Sequence, residues 1–241
     1  MIFFNILAAS SITSSVTLPN LSNLDVVLVF DGDSLTEGST NSGIEQYYPK
    51  EVNTYFNSVF KSKEFYSYAV GGQTLIQMIS DASSQIYPKA QVGKENILVA
   101  WEEANAMLKI TTRTGVKKTA VENFNDMKSY FQGAKDAGFQ HCILITGYYP
   151  RLNTSGEYRI ASYVIDPASV DEMEVYLNMV ANADINTVPW DYHIDLRNAP
   201  NIGGTKEQLQ DPTYFADYIH LQALGYNEIA IMVESKINQI L

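Results

Sequence analysis

The chain of 241 residues carries 16 Lys and Arg against 27 Asp and Glu, a formal net charge of −11, and 46% of its residues are hydrophobic. That length and apolar content can supply the core of a single α/β domain, while the negative charge argues against a nucleic-acid or anionic-membrane partner, whose recognition is built from Lys and Arg. Cys142 is the sole cysteine in the sequence, so no disulfide can form within it.

The first 24 residues read as a separate segment. "MIFFNILAASSITSSVTLPN" has an apolar stretch from Ile2 to Ala9 followed by small residues, as a short signal peptide does, but the first Lys or Arg is Lys50, so a basic n-region is missing. Besides a signal, the segment also reads, through its alternating Ser/Thr-rich part, as an edge strand or as a segment that docks on a larger assembly or a second copy. No run reaches the ~18 apolar residues of a spanning helix, so membrane insertion is not expected.

From residue 25 to the end, strand-like and helix-like stretches alternate, which predicts one α/β domain. "DVVLVF" is a β-branched apolar run of the kind buried on both faces of a parallel sheet. It ends in "DGDSLTEG", a turn that leaves Ser34 just past the strand, with Gly32 permitting close approach. "EQYYPKEVNTYFNSVF" follows with helical spacing and a proline early enough to start a helix. "FYSYAV" is the second strand, "TLIQMISDASSQIY" a helix and "NILVAW" the third strand. Residues 117–138 form an amphipathic helix with Val121, Phe124, Met127, Phe131 and Ala134 on one stripe and Gly138 as its stop. "HCILITGYY" is the fourth strand, and residues 147–169 form a long irregular loop of a length often tied to function. A helix over 169–183, a strand in "WDYHIDLR" and a last helix over 223–241 complete the pattern, the last with Tyr226, Ile229, Ala230, Val233 and Ile237 inward. Alternation of this kind predicts a parallel sheet covered on both faces, with ligands bound at the carboxyl ends of its strands.

A serine nucleophile needs a base. Of the three histidines, His141 opens a strand and His193 lies within one, so both read as structural. His220 stands in "DYIHLQALGY", three residues after Asp217 and just before the last helix. At that spacing the carboxylate can accept the imidazole Nδ1–H and leave Nε2 for the serine. Donors for an oxyanion are offered by Gly72 in "AVGGQT", after the second strand, and by the Asn105 amide in "WEEANAM", after the third. A metal site built from His141, His193 and Asp195 is the competing chemistry, although its spacing matches no compact ligand motif.

"FDGDSLTEG", "AVGGQT", "WEEANAM" and "DYIHLQALGYNEIA" together resemble the four ordered blocks of the GDSL/SGNH hydrolase family, over nearly the whole of residues 25–241. The resemblance implies a flavodoxin-like three-layer α/β/α fold and hydrolysis of acyl esters without metal or cofactor. It implies Ser34 as nucleophile, His220 as base and Asp217 as its orienter. The Ser34 and Gly72 N–H groups and the Asn105 side chain would form the oxyanion hole. The third block departs from the family's Gly-x-Asn-Asp. Glu103 replaces the glycine, and Ala106 removes a carboxylate that could have buttressed the loop. That departure keeps open a catalytically weakened binding or structural module, one that could be virion-associated. Asp33, Trp101, Glu103, Tyr148 and Tyr149 are candidates for the substrate pocket, with Tyr158 and Tyr163 in the long loop as further stacking aromatics. The expected substrate is a small-acyl, chiefly acetyl, ester on a carbohydrate, met in an extracellular or virion-associated setting rather than the cytoplasm.

Overall fold

The computed structural model describes residues 21–38, 47–102, 104–108, 117–150, 152, 155–160, 163–205, 211–217 and 219–241. The N-terminal segment, apart from Leu21 to Leu24, lies outside them, as does Glu103. β1 (Asp25–Gly32), β2 (Ser62–Ser67), β3 (Glu95–Trp101), β4 (His141–Thr146) and β7 (Tyr192–Asp195) form one parallel sheet in the order β2-β1-β3-β4-β7. This is the flavodoxin-like strand order, with β1 beside the point where the order reverses. β5 (Arg159–Ile160) and β6 (Tyr163–Val164) make a small antiparallel hairpin apart from it.

Seven helices accompany the strands among the described residues: α1 (Ser34–Glu37), α2 (Tyr48–Tyr55), α3 (Leu75–Gln85), α4 (Ala104–Met107), α5 (Ala120–Ala137), α6 (Pro167–Ala181) and α7 (Ala223–Ile240). α2 packs on α7, while α3, α5 and α6 pack side by side as the other layer. The grouping follows from the topology. Only the β1-to-β2 crossover, which carries α2, runs toward the opposite edge from the others, so right-handed connections place it on the other face. β1 lies between these layers, and Val26 through Phe30 are all fully buried, which is why its sequence is continuously apolar rather than alternating. None of the helices is long and apolar enough to cross a membrane, among the described residues.

Three expectations shift. β2 begins and ends three residues earlier than "FYSYAV". It is an edge strand, so its start can be polar: Lys63 reaches the Asn53 carbonyl, and the Glu64 carboxylate accepts from Lys94 and from Gln91 Nε2. In α5 the inward stripe runs through Ala120, Asn123, Met127, Tyr130, Phe131 and Ala134, while Val121 is 56% exposed. The polar Asn123 at a core position moved the apparent stripe by a third of a turn. The 147–169 loop contains the β5–β6 hairpin and a Leu152–Tyr158 bridge, pairings too short to leave a periodic signal. The inward residues expected of α7 are all buried.

Candidate active site

The carboxyl ends of β1 and β3 and the chain leaving β2 converge on one place. β1 runs into Gly32, whose backbone passes so close to β3 that a Cβ there would collide with the Trp101 carbonyl oxygen and with Thr36 Oγ1. Asp33 caps the one-turn α1, its Oδ1 accepting the Leu35 N–H at 2.8 Å, so Ser34 starts that turn. Beyond β2 the chain stays beside β1, with Tyr68 N–H on the Phe30 carbonyl at 2.9 Å and Val70 N–H on the Gly32 carbonyl at 3.0 Å. A turn closed by Gln73 N–H to the Val70 carbonyl at 2.9 Å then places Gly72 at φ +76°, a conformation that glycine adopts without strain.

Across this edge stands the loop that enters α7. Asp217 organises it. Its Oδ1 accepts the backbone N–H of Ile219 at 2.9 Å and of His220 at 2.7 Å, and its Oδ2 lies 2.7 Å from His220 Nδ1. His220 Nε2 lies 2.9 Å from Ser34 Oγ. The three sequence-selected residues therefore form one hydrogen-bonded chain, and the Asp217 contact fixes the tautomer in which Nε2 is the acceptor for Ser34. Burial pushes the Asp217 carboxyl upward, but the hydrogen bonds from the His220 ring, the His220 N–H and the Ile219 N–H outweigh it and hold the group below the usual carboxylate range.

The Ser34 and Gly72 backbone N–H groups have no hydrogen-bond partner among the described residues. Asn105 is different. Its Nδ2 donates to Asp33 Oδ2 at 2.7 Å and to the Gln73 carbonyl at 3.1 Å, so both amide protons are engaged and the side chain staples the β1, β2 and β3 loops together. The amide expected to meet the oxyanion thus has partners within the protein.

The pocket residues expected from sequence are mostly turned inward. Asp33 is 2% exposed and occupied by Leu35 and Asn105. Trp101 is 1% exposed, packed against Tyr48 and edge-on to Tyr148. Tyr148 also meets Phe215 edge-on at 5.2 Å and donates its hydroxyl to the Ile219 carbonyl. Tyr149 is buried with its hydroxyl 3.4 Å from Arg197 Nη1. These rings build the walls behind the site and offer no exposed stacking face. Tyr158 packs against the core as well, and the Tyr163 side chain lies outside the described residues.

Two buried carboxylates escaped the sequence reading. Asp31, 2% exposed, accepts the Tyr130 hydroxyl at 2.6 Å and the Gly32 N–H at 2.9 Å, and burial pushes it up to about 6. Glu102, fully buried, accepts backbone N–H groups from Leu75 at 3.0 Å, Asn105 at 3.0 Å and Ala106 at 3.2 Å. Their partners lie far along the chain or on the backbone, where no motif reveals them. The residues of the metal reading have other partners. His141 Nε2 is 3.3 Å from Glu95, and His193 bonds Thr146 at 2.7 Å, its ring pushed down to about 4 by burial. Asp195 is paired with Arg197. No cluster of three metal-ligating side chains occurs among the described residues.

No protein-family model and no curated protein matches the sequence. Solved structures match the fold. An acetylxylan esterase from Geobacillus stearothermophilus is similar over 90% of this chain and 96% of its own, at 14% identity and a TM-score of 0.64. A GDSL-like lipase from Bacteroides thetaiotaomicron is similar over 89% of both chains, at 17% identity and a TM-score of 0.61. A lipase/acylhydrolase from Enterococcus faecalis is similar over 90% of this chain and 97% of its own, at 15% identity and a TM-score of 0.59. The chain thus has the three-layer α/β/α fold of these hydrolases, with its Ser34, His220 and Asp217 linked at the carboxyl edge of the sheet.

Proposed function

We propose that this protein is a serine ester hydrolase that removes small acyl groups, chiefly acetyl, from a carbohydrate. The observation that carries the reading is the linear contact Ser34 Oγ to His220 Nε2 at 2.9 Å and His220 Nδ1 to Asp217 Oδ2 at 2.7 Å. A serine hydroxyl is a poor nucleophile unless a positioned base takes its proton, and this chain supplies one. His220 Nε2 accepts the Ser34 proton as Oγ bonds to the ester carbonyl carbon and the carbonyl π pair moves onto oxygen. Collapse of that adduct expels the alcohol, which takes the proton from His220 and leaves an acyl-serine. Water, deprotonated by the same nitrogen, repeats the sequence and releases the acid.

The oxyanion of each adduct would be met by the Ser34 and Gly72 N–H groups, which have no partner among the described residues. Asn105 joins them only by sharing the proton it gives to the Gln73 carbonyl at 3.1 Å, the longer of its two bonds. The carbohydrate acetyl ester is favoured because acetylxylan esterases are among the proteins that share the fold.

The test compares wild type with Ser34→Ala on p-nitrophenyl acetate, p-nitrophenyl octanoate and acetylated xylooligosaccharide. Ser34-dependent turnover with acetyl preferred over octanoyl is expected. A preference for octanoyl overturns the substrate class. A folded wild type that neither turns over these esters nor labels at Ser34 with a fluorophosphonate probe overturns the enzymatic reading in favour of a non-catalytic module.

A further inference from the structure

The carboxylate of Glu102 sits where two loops of the proposed oxyanion hole meet. It is the residue directly after β3, it is fully buried, and its two oxygens face in different directions. Oε2 accepts the N–H of Leu75, the first residue of α3, and so anchors the chain that has just left Gly72 and Gln73. Oε1 accepts the N–H of Asn105 and Ala106, and so anchors the turn that carries the Asn105 amide. A buried carboxylate is costly unless its charge is met. Three N–H groups at two helix starts meet it here, and they hold the same two segments that Asn105 Nδ2 joins from the other side through Asp33 and the Gln73 carbonyl.

We propose that Glu102 is a positioning residue for the hydrolysis proposed above, a buried brace that fixes the Gly72 and Asn105 loops against Ser34. The proposal also accounts for the altered third block. Ala106 cannot supply a carboxylate to its own turn, and Glu102, four residues earlier, reaches the Asn105 and Ala106 amides in its place. Glu102→Gln keeps the size of the side chain but has one oxygen for two sites, so an NH2 group must face an N–H at either Leu75 or the Asn105 turn. Displacement of oxyanion donors by about 1 Å costs roughly 100-fold in rate without weakening ground-state binding.

The proposal rests on the hydrolase reading, and the test separates the two. Turnover of p-nitrophenyl acetate is measured for wild type, Ser34→Ala, Glu102→Gln and Glu102→Ala, normalised to serines labelled at end point by a fluorophosphonate. Amide hydrogen exchange is followed in parallel at Leu75, Asn105 and Ala106. The expected result is a fall in kcat of about 100-fold per labelled serine in Glu102→Gln with KM within about twofold, together with faster exchange at the three amides. A purely structural role would lower Tm and the labelled fraction but leave kcat per labelled serine near wild type, and that result overturns the proposal. Unchanged exchange at the three amides in the variants also overturns it. If neither variant folds, wild-type exchange decides, because first-turn amides of a helix are ordinarily unprotected. Slow exchange at all three supports the brace, and fast exchange rejects it. A wild type without Ser34-dependent turnover defeats the hydrolase reading, while the exchange result still decides whether Glu102 holds the loops.

Discussion

The Tyr148 hydroxyl donates to the carbonyl of Ile219, the residue immediately before His220. Its ring is held edge-on between Trp101 and Phe215, so ring and hydroxyl have separable jobs: one fills the core and the other tethers the histidine loop. Tyr148→Phe preserves the packing and removes the tether. It is expected to cost about 1 kcal/mol of stability and, by loosening His220, to lower kcat several-fold with little change in KM. Chemical denaturation and steady-state kinetics on p-nitrophenyl acetate check both. Wild-type kcat in the variant would show that the remaining contacts of the loop hold His220 in place without this tether.

Asp217 gives a sharper prediction, because its two oxygens do different work. In Asp217→Asn the oxygen can keep the Ile219 and His220 N–H bonds, and the NH2 group then faces His220 Nδ1. That forces Nδ1 to accept and Nε2 to carry the proton, so the nitrogen facing Ser34 can no longer act as a base. The expected loss in kcat is about 10⁴-fold, the scale known for this change in a serine triad. Because the native carboxyl is held below its ordinary value, its stabilising contribution is present above the unfolded carboxylate value of about 4 and disappears as pH falls through the native one. The Tm advantage of wild type over the variant should therefore shrink only under acid conditions below about pH 4.

What the sequence made legible follows from where the partners lie. Ser34, Asp217 and His220 were readable because each sits in a short motif at a strand end or helix start, and Asp217 and His220 are three residues apart. β1 was readable because both its faces are buried, and α7 because its stripe is wholly apolar. The edge strand β2 was displaced because its polar start is satisfied by other means, Lys63 donating to the Asn53 backbone carbonyl in α2 and Glu64 accepting from the Lys94 side chain before β3. Trp101, Tyr148 and Tyr149 were read as pocket aromatics because a sequence does not say which way a ring turns at the end of a strand, and here they turn into the core. Asp31 and Glu102 carry no motif of their own. Their roles depend on Tyr130, 99 residues away, and on the Leu75 amide, 27 residues away.

Asp31 carries a pH prediction of the opposite sign to Asp217. Burial raises its carboxyl from 3.8 to about 6, so the native state holds the proton more tightly than the unfolded chain does. Folding then bears a cost that is fully present above about pH 6 and vanishes below about pH 4, worth roughly 3 kcal/mol at 1.36 kcal/mol per pH unit. Asp31→Asn removes the ionisable group. Whatever constant offset the amide introduces at Gly32, the variant should gain on wild type by a few kcal/mol between pH 4 and pH 8 in paired denaturation curves. A pH-independent difference would place the Asp31 titration elsewhere. The ¹³C shift of its carboxyl, with a midpoint near pH 6, gives a direct check.

Gly32 is where the backbone itself is tested. A Cβ at this position would strike the Trp101 carbonyl oxygen, which β3 holds in place, and Thr36 Oγ1, which is bonded to the Tyr48 hydroxyl at 3.1 Å. Neither neighbour is the free end of a flexible side chain, so relief requires β1 to move away from β3 just before Ser34. Gly93 is a control, since it has φ +82° but nothing within 4 Å of the added carbon. Gly93→Ala should cost about 1–2 kcal/mol, the penalty of the left-handed conformation alone, and leave kcat intact. Gly32→Ala should cost more than about 2 kcal/mol from overpacking. In the fraction that stays folded, it should also lower kcat per labelled serine, because the displaced backbone carries the nucleophile. Equal penalties for the two alanines, with kcat preserved in both, would mean that the close approach of β1 to β3 is not what sets the position of Ser34.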